Sequence, residues 1–261
     1  MALQNYRMKV VIIGSGNVAT VLGGRLFESG HAILQVVARR PEAAAGLARQ
    51  WDAGCTTEWT ELRPDADIYI VAISDKAVAD LPAMVQLPGR LVVHTAGAVP
   101  LRALAGVSER CGVLYPLQSL RSEIRPFPEF PLLIDAIDPD DLERIASLAQ
   151  SISRQVQRAD DAYRLKCHVA AVAVNNFSNF LYTLADDFCE RERIDFGLLQ
   201  PLIRETAARL AHYSPREVQT GPAIRGDAGT THRHLEMLAD YPQLKALYEL
   251  FSAEIAAYYR N

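Results

Sequence analysis

Gly14-Ser15-Gly16-Asn17-Val18-Ala19 follows the apolar run Lys9-Val10-Val11-Ile12-Ile13 directly and opens a helical pattern. A lone G-x-G-x-x-A spacing is a common glycine-rich turn. Between a strand and a helix it acquires a chemistry. Gly14 allows the tight turn, Gly16 lets the backbone approach a pyrophosphate, and Ala19 lets the helix pack closely on the strand. The diphosphate would rest on the free N–H groups and positive end of that helix. About 25 positions on, where an NAD enzyme sets an acid against the ribose 2′-hydroxyl, the chain has Val37-Ala38-Arg39-Arg40-Pro41. Two guanidinium groups suit a 2′-phosphate. NADP(H) is therefore expected, with NAD(H) as the alternative. The bland reading makes Arg39 and Arg40 surface charges at a helix start.

Polar residues also follow the later apolar runs, at the edge where open α/β sheets bind ligands. Ser74 and Asp75, and Thr95 and Gly97 of His94-Thr95-Ala96-Gly97, are expected at the cofactor. His94, with Gln118 and Ser119 of Tyr115-Pro116-Leu117-Gln118-Ser119, is expected at the substrate. Asp75 reads equally as a helix cap, and His94 as a packed, hydrogen-bonded residue. Farther on, at about 100° per residue, His168, Val172, Asn175 and Asn179 fall within about 60°, and Asn176 lies about 40° beyond Val172. Lys166 points about 160° away from His168. Asn175, Asn176 and Asn179 are weak helix formers. They read either as amides facing a cleft beside the imidazole, or as a polar network tying the helix to its neighbours or to a second subunit. In the loop Thr220–Thr231, Arg225 either clamps a substrate carboxylate or phosphate or pairs with Asp227. Asp227 and Thr230 read also as helix caps.

The elements that must position these groups follow from the pattern. Continuous Val/Ile/Leu runs at Lys9–Ile13, Ala32–Val37, Ile68–Ile73, Leu91–His94, Cys111–Tyr115 and Leu132–Asp135 predict strands covered on both faces. Helices are predicted at Asn17–Ser29, Pro41–Gln50 and Asp138–Ser153. Beyond Asp160 only amphipathic patterns occur, at Asp160–Arg191, at Gly197–Tyr213 and from Thr231 to Tyr259. The expected fold is an α/β Rossmann domain, a doubly wound parallel sheet, over 8–157, with a smaller all-helical domain over 158–261. The 261 residues, at ~150 per domain, suggest about 1.7 domains. So small a helical unit is expected to complete its core against a second copy, as a homodimer.

A net charge of -4 supplies no basic field for nucleic acid, so small molecules are the expected partners. No apolar run has the length of a membrane span, and Met1–Arg7 lacks the apolar stretch of a signal peptide. The four cysteines, at 55, 111, 167 and 189, have no metal-ligand spacing and read as buried, reduced thiols. A cytoplasmic protein without a metal is expected.

These residues carry a resemblance. The chain resembles the 6-phosphogluconate-dehydrogenase-like superfamily. Within it, the chain is similar to a bacterial group of oxidoreductase-like proteins with a Rossmann-like domain followed by a C-terminal domain of unknown function, often labelled deazaflavin-dependent NADP oxidoreductase-like. The likeness rests on His94-Thr95-Ala96-Gly97, Tyr115-Pro116-Leu117-Gln118, His168 with Ala170-Ala171, Asn176, Asn179, and Thr220-Gly221-Pro222-x-x-Arg225-Gly226-Asp227 with Thr230 and His234. Ala96 stands where the group more often has serine. In superfamily reductases the reactive carbonyl or imine sits between the nicotinamide and the first long helix of the second domain, and several use a Lys and an Asn there. The resemblance thus implies His168 as proton donor or orienting group, Asn176 and Asn179 holding the substrate oxygen, and Arg225 as anion clamp, with Asp227 beside it. The competing class is a nucleotide-binding sensor that reads cofactor state without turnover.

Overall fold

A computed structural model describes residues 7–260. Along the chain come β1 (Lys9–Ile13), α1 (Asn17–Glu28), β2 (Ala32–Val37), α2 (Pro41–Gln50), β3 (Gly54–Thr56), β4 (Ile68–Val71), α3 (Asp75–Asp80), β5 (Val92–His94), β6 (Cys111–Pro116), β7 (Leu132–Ala136), α4 (Pro139–Gln150) and β8 (Val156–Arg158). They build one sheet in the order β3-β2-β1-β4-β5-β6-β7-β8. All pairs are parallel except β6 with β7. The order reverses between β1 and β4, which makes their carboxyl ends the switch point where ligands of such sheets bind.

The continuous apolar runs are explained by burial on both faces. Alternate residues of each strand enter different cores. Val10, Ile12, Ile68, Ile70 and Val93 pack on one face with Leu22 and Leu26 of α1 and Ile145 and Leu148 of α4. Val11, Ile13, Tyr69, Val71 and Val92 pack on the other with Val78 and Leu104.

Two strands escape the sequence pattern. β3 and β8 are three-residue segments at the two sheet edges, too short for a periodic signal. The sheet is also not wholly parallel. The segment from Leu117 to Pro131 contains no helix to serve as a crossover, so β7 returns antiparallel to β6.

The chain divides into two compact units, the first ending at Val172 and the second beginning at Ala173. Helix α5 (Asp161–Ala171) falls in the first. The pattern at Asp160–Arg191 is not one regular helix, because a π-helical segment, Val172–Phe177, lies between α5 and α6 (Ser178–Glu192). The second unit continues with α7 (Gln200–Ala208), α8 (Pro222–Arg225), α9 (Ala228–Met237) and α10 (Pro242–Tyr259). Its 220–231 stretch is therefore not all loop. Gly221 and Gly226, both at positive φ, bracket the single turn of α8. Few of the unit's side chains are buried, among them Leu184, Cys189, Leu238 and Tyr241. Val174, Phe177, Phe180, Leu198, Leu202 and Met237 are exposed. No helix among the described residues is long and apolar enough to cross a membrane.

Candidate functional site

The glycine turn leaves the switch point between β1 and β4. Gly14 has φ +128°, and a Cβ there would stand 2.1 Å from the Ala72 carbonyl oxygen, so only glycine fits. Its N–H donates to the Val37 carbonyl (2.8 Å), tying the turn to the end of β2. Ser15 is half-buried. Val18 packs on the core, and Ala19 is fully buried where α1 crosses the sheet. Gly16 takes the N-cap position of α1 with no side-chain capping bond and no acid in the first turn. A Cβ on Gly16 would meet no atom within 4 Å. The first turn of this twelve-residue helix thus has no side-chain cap and no acid, with open space beside Gly16 at its positive end, which suits a diphosphate. Asn17 is committed elsewhere: its Oδ1 accepts from the N–H (3.2 Å) and hydroxyl (2.8 Å) of Ser122.

At the end of β2, Arg39 and Arg40 are both exposed, and neither joins an ion pair among the described residues. At the end of β4 the N-cap of α3 is Ser74, not Asp75. Neither side chain makes a capping bond, and both are exposed. Thr95 is buried, its N–H donating to the Val71 carbonyl at 3.2 Å.

His94 does not present a free nitrogen, contrary to the expectation of substrate contact. It is 0% exposed. Its Nδ1 accepts the Ala96 N–H (3.3 Å), and its Nε2 lies 3.2 Å from the Pro100 carbonyl oxygen, to which it donates. Burial, aided by the nearby Arg164 charge, pushes its pKa down to about 4. The ring holds the turn after β5. Gln118 folds back, its Oε1 accepting the Ser119 N–H (2.9 Å), and both residues are exposed.

His168 is the imidazole that meets this edge. It lies on α5, whose N-cap Asp160 accepts the Tyr163 N–H at 2.7 Å. Nδ1 of His168 is 3.0 Å from the hydroxyl of Tyr115, at the end of β6, and the rings meet edge to face. Beside this contact sits Gly97, where a Cβ would come within 2.8 Å of His168 Nδ1 and 2.8 Å of Tyr115 Cζ. Gly97 is needed here for close approach rather than for its backbone angle. Tyr115 is only 9% exposed, and burial raises its pKa, so it is a neutral phenol. Sequence reasoning missed it as a site residue. Its signals were its place at the end of an apolar run and in the Tyr115-Pro116-Leu117-Gln118 motif.

The remaining candidates belong to the second unit. Asn175 and Asn176 lie in the π-helical segment and Asn179 in the first turn of α6. All three are exposed, and their side chains make no hydrogen bond among the described residues. A π turn advances each residue by less than the ~100° of an α-helix, so the angles reckoned from His168 to Asn179 do not carry across it. Arg225 is exposed at the end of α8 and makes no ion pair with Asp227. Asp227 caps α9: its Oδ1 accepts the Thr230 N–H at 3.0 Å, and that bond holds its pKa down. His234 Nδ1 lies 2.7 Å from the Tyr248 hydroxyl, joining α9 to α10. The cysteines are unpaired; Cys111 and Cys189 are buried, but Cys55 is exposed and Cys167 only half-buried, against the expectation of four buried thiols. The described residues contain no cluster of three His, Cys, Asp or Glu able to hold a metal.

A glycine turn feeding an uncapped helix at the switch point of a doubly wound sheet defines a dinucleotide-binding protein of the Rossmann class. Residues 9–97 match the family described as NADP oxidoreductase, coenzyme F420-dependent, and residues 130–255 match a domain of unknown function (DUF2520). A Bacteroides fragilis protein provisionally named an NADP oxidoreductase is 37% identical, with a TM-score of 0.90 over 97% of this chain and 100% of its own. The chain belongs to this oxidoreductase family. The fold is shared more widely. A 1-pyrroline-5-carboxylate reductase from Streptococcus pyogenes is 16% identical, with a TM-score of 0.62 over 97% of this chain and 100% of its own. A reductive aminase from Aspergillus terreus, in complex with NADPH and ethyl levulinate, is 17% identical, with a TM-score of 0.66 over 95% of this chain and 94% of its own. No curated protein matches the sequence.

Proposed function

We propose that the protein is an NADP(H)-dependent oxidoreductase acting on a small polar substrate at His168. One observation carries the reading. The edge that presents the uncapped N-terminus of α1 also presents the exposed Arg39–Arg40 pair and, at the ends of β5 and β6, a histidine whose Nδ1 is held by Tyr115. A bound nicotinamide dinucleotide would supply or accept the hydride. The backbone N–H groups from Gly16 onward receive its diphosphate, and Arg39 and Arg40 hold the 2′-phosphate. Since Nδ1 of His168 is committed to Tyr115, Nε2 is the nitrogen left for a substrate oxygen or nitrogen: the neutral ring donates a hydrogen bond that orients it, and the protonated ring gives up its Nε2 proton while keeping the Nδ1 proton on the Tyr115 oxygen. On the resemblance, Asn176 and Asn179 are assigned as amide donors to the substrate oxygen and Arg225 as an anion clamp. A second copy of the chain is proposed to cover the exposed apolar side chains of the second unit, which light scattering would report as a dimer. The cytoplasm is the proposed location.

The test is a fluorescence titration with NADPH and NADH. NADPH is expected to bind the tighter, and Arg39→Ala to weaken it by about 10- to 100-fold, the value of one charge-assisted hydrogen bond of about 1.5–3 kcal/mol. Binding of neither cofactor would overturn the nucleotide reading, and equal affinity for both would remove the role given to the arginines.

A further inference from the structure

Arg164 is 1% exposed, among the largest fully buried side chains of the protein. It precedes His168 by four residues on α5, so the two project from the same face. Its Nη2 donates to the Val99 carbonyl (2.5 Å) and to Asp161 Oδ1 (2.7 Å). The same carboxylate oxygen accepts the Leu101 N–H at 2.8 Å. Nε and Nη1 are buried and have no partner. A guanidinium sealed from water with two donor atoms unpaired, and its counter-charge half in solvent, is a poor device for stability.

What it holds is the segment leaving β5. Arg164 and Asp161 grip its far end at Val99 and Leu101. Its near end is fixed by His94, which binds the Ala96 N–H and the Pro100 carbonyl, and by the Thr95 N–H on Val71. Between the two anchors lies Gly97, packed where a Cβ would strike the His168 ring.

We propose that Arg164 is a positioning residue for His168: by pinning Val99 and Leu101 to α5 it keeps Gly97 against the imidazole, Nδ1 on the Tyr115 hydroxyl, and Nε2 the only ring nitrogen open to a substrate. The inference rests on the reading of His168 as the proton-handling group. It adds that the group is held in one ring orientation before any ligand arrives. Without the clamp the 94–101 segment can withdraw, and the ring can turn or exchange tautomers.

The experiment is nitrogen NMR of the full chain labelled at histidine, with the His168 signals assigned by their loss in His168→Gln. At pH 9, well above the range in which a free imidazole titrates, the wild-type His168 ring is expected in a single tautomer, its two nitrogen resonances far apart. In Arg164→Met the separation is expected to collapse toward a tautomer average, while His212 and His232 keep their signals and NADPH still binds. A wild-type His168 signature in folded Arg164→Met overturns the proposal. Should that variant fail to fold, Asp161→Ala removes the carboxylate from the exposed first turn and leaves the Asp160 cap in place. It is expected to shift the same resonances in the same direction, and no shift overturns the proposal. Failure of the wild type to bind NADPH would instead overturn the functional reading, because the tautomer measurement needs no cofactor.

Discussion

His94 offers a sharp test, since its burial has a thermodynamic consequence at a pH where little else titrates. Its pKa is about 4 in the folded protein against 6.5 for a free histidine. Between those values the unfolded chain binds the proton and the folded one does not, so stability falls as pH drops through this window and levels off below it. The loss between pH 8 and pH 5 is about 2 kcal/mol for a shift of this size. His94→Asn removes the titrating ring but leaves a side-chain acceptor for the Ala96 N–H, as in an Asx-turn. At pH 8 the variant is expected to be less stable by about 2–3 kcal/mol, from the lost Pro100 bond and the space vacated. As pH falls to 5 that penalty should shrink by about 2 kcal/mol, because only the wild type must pull its ring away from a proton. His31, whose burial also lowers its pKa, contributes equally to both proteins and cancels. Urea unfolding followed by tryptophan fluorescence suits the measurement: the two tryptophans, Trp51 and Trp59, both lie in the first unit, and Trp51 is only 4% exposed. Parallel stability curves for the two proteins, or a penalty that grows toward pH 5, would refute the enclosed neutral ring.

Other perturbations test the frame around the site. Gly14→Ala sets a Cβ at 2.1 Å from the Ala72 carbonyl oxygen at a φ of +128°. Roughly 3 kcal/mol or more of stability should be lost, with NADPH binding, and a variant as stable as the wild type in thermal unfolding would disprove the tight turn. The Arg110–Asp141 pair joins the start of β6 to α4, with Nε donating to Oδ2 at 3.1 Å; the carboxylate side chain is 1% exposed and the guanidinium one 35%. Arg110→Ala strands a buried charge and should cost about 3–5 kcal/mol, whereas Asp141→Ala leaves a cation that reaches water and should cost about 1–3. Equal or reversed losses in urea unfolding would refute that asymmetry.

The sequence made legible what is local. The Gly14–Ala19 turn and the strands of the parallel core announce themselves within a few residues, because a tight turn and two-sided burial each constrain consecutive positions. The geometry of the 94–97 edge does not. Tyr115 and His168 are 53 positions apart, and their contact exists only because β6 and α5 are brought together. Arg164 reads as one more charge on an amphipathic helix until packing buries it. The long helix misled in a different way. Its asparagines do mark an irregularity, but the helical wheel assumed the regular spacing that the π segment breaks, and π turns recur at functional sites.

The two histidines at this edge were candidates of one residue type and acquire opposite characters from their surroundings. His94 has both nitrogens bound to backbone and a pKa of about 4, so at pH 7 about one molecule in a thousand carries its proton. A ring so rarely charged cannot serve as the acid of a proton transfer near neutrality. His168 is only partly buried, and one of its nitrogens has no protein partner among the described residues. If this edge handles a proton through an imidazole, the work falls to His168, and His94 contributes by fixing the turn that carries Gly97 to it.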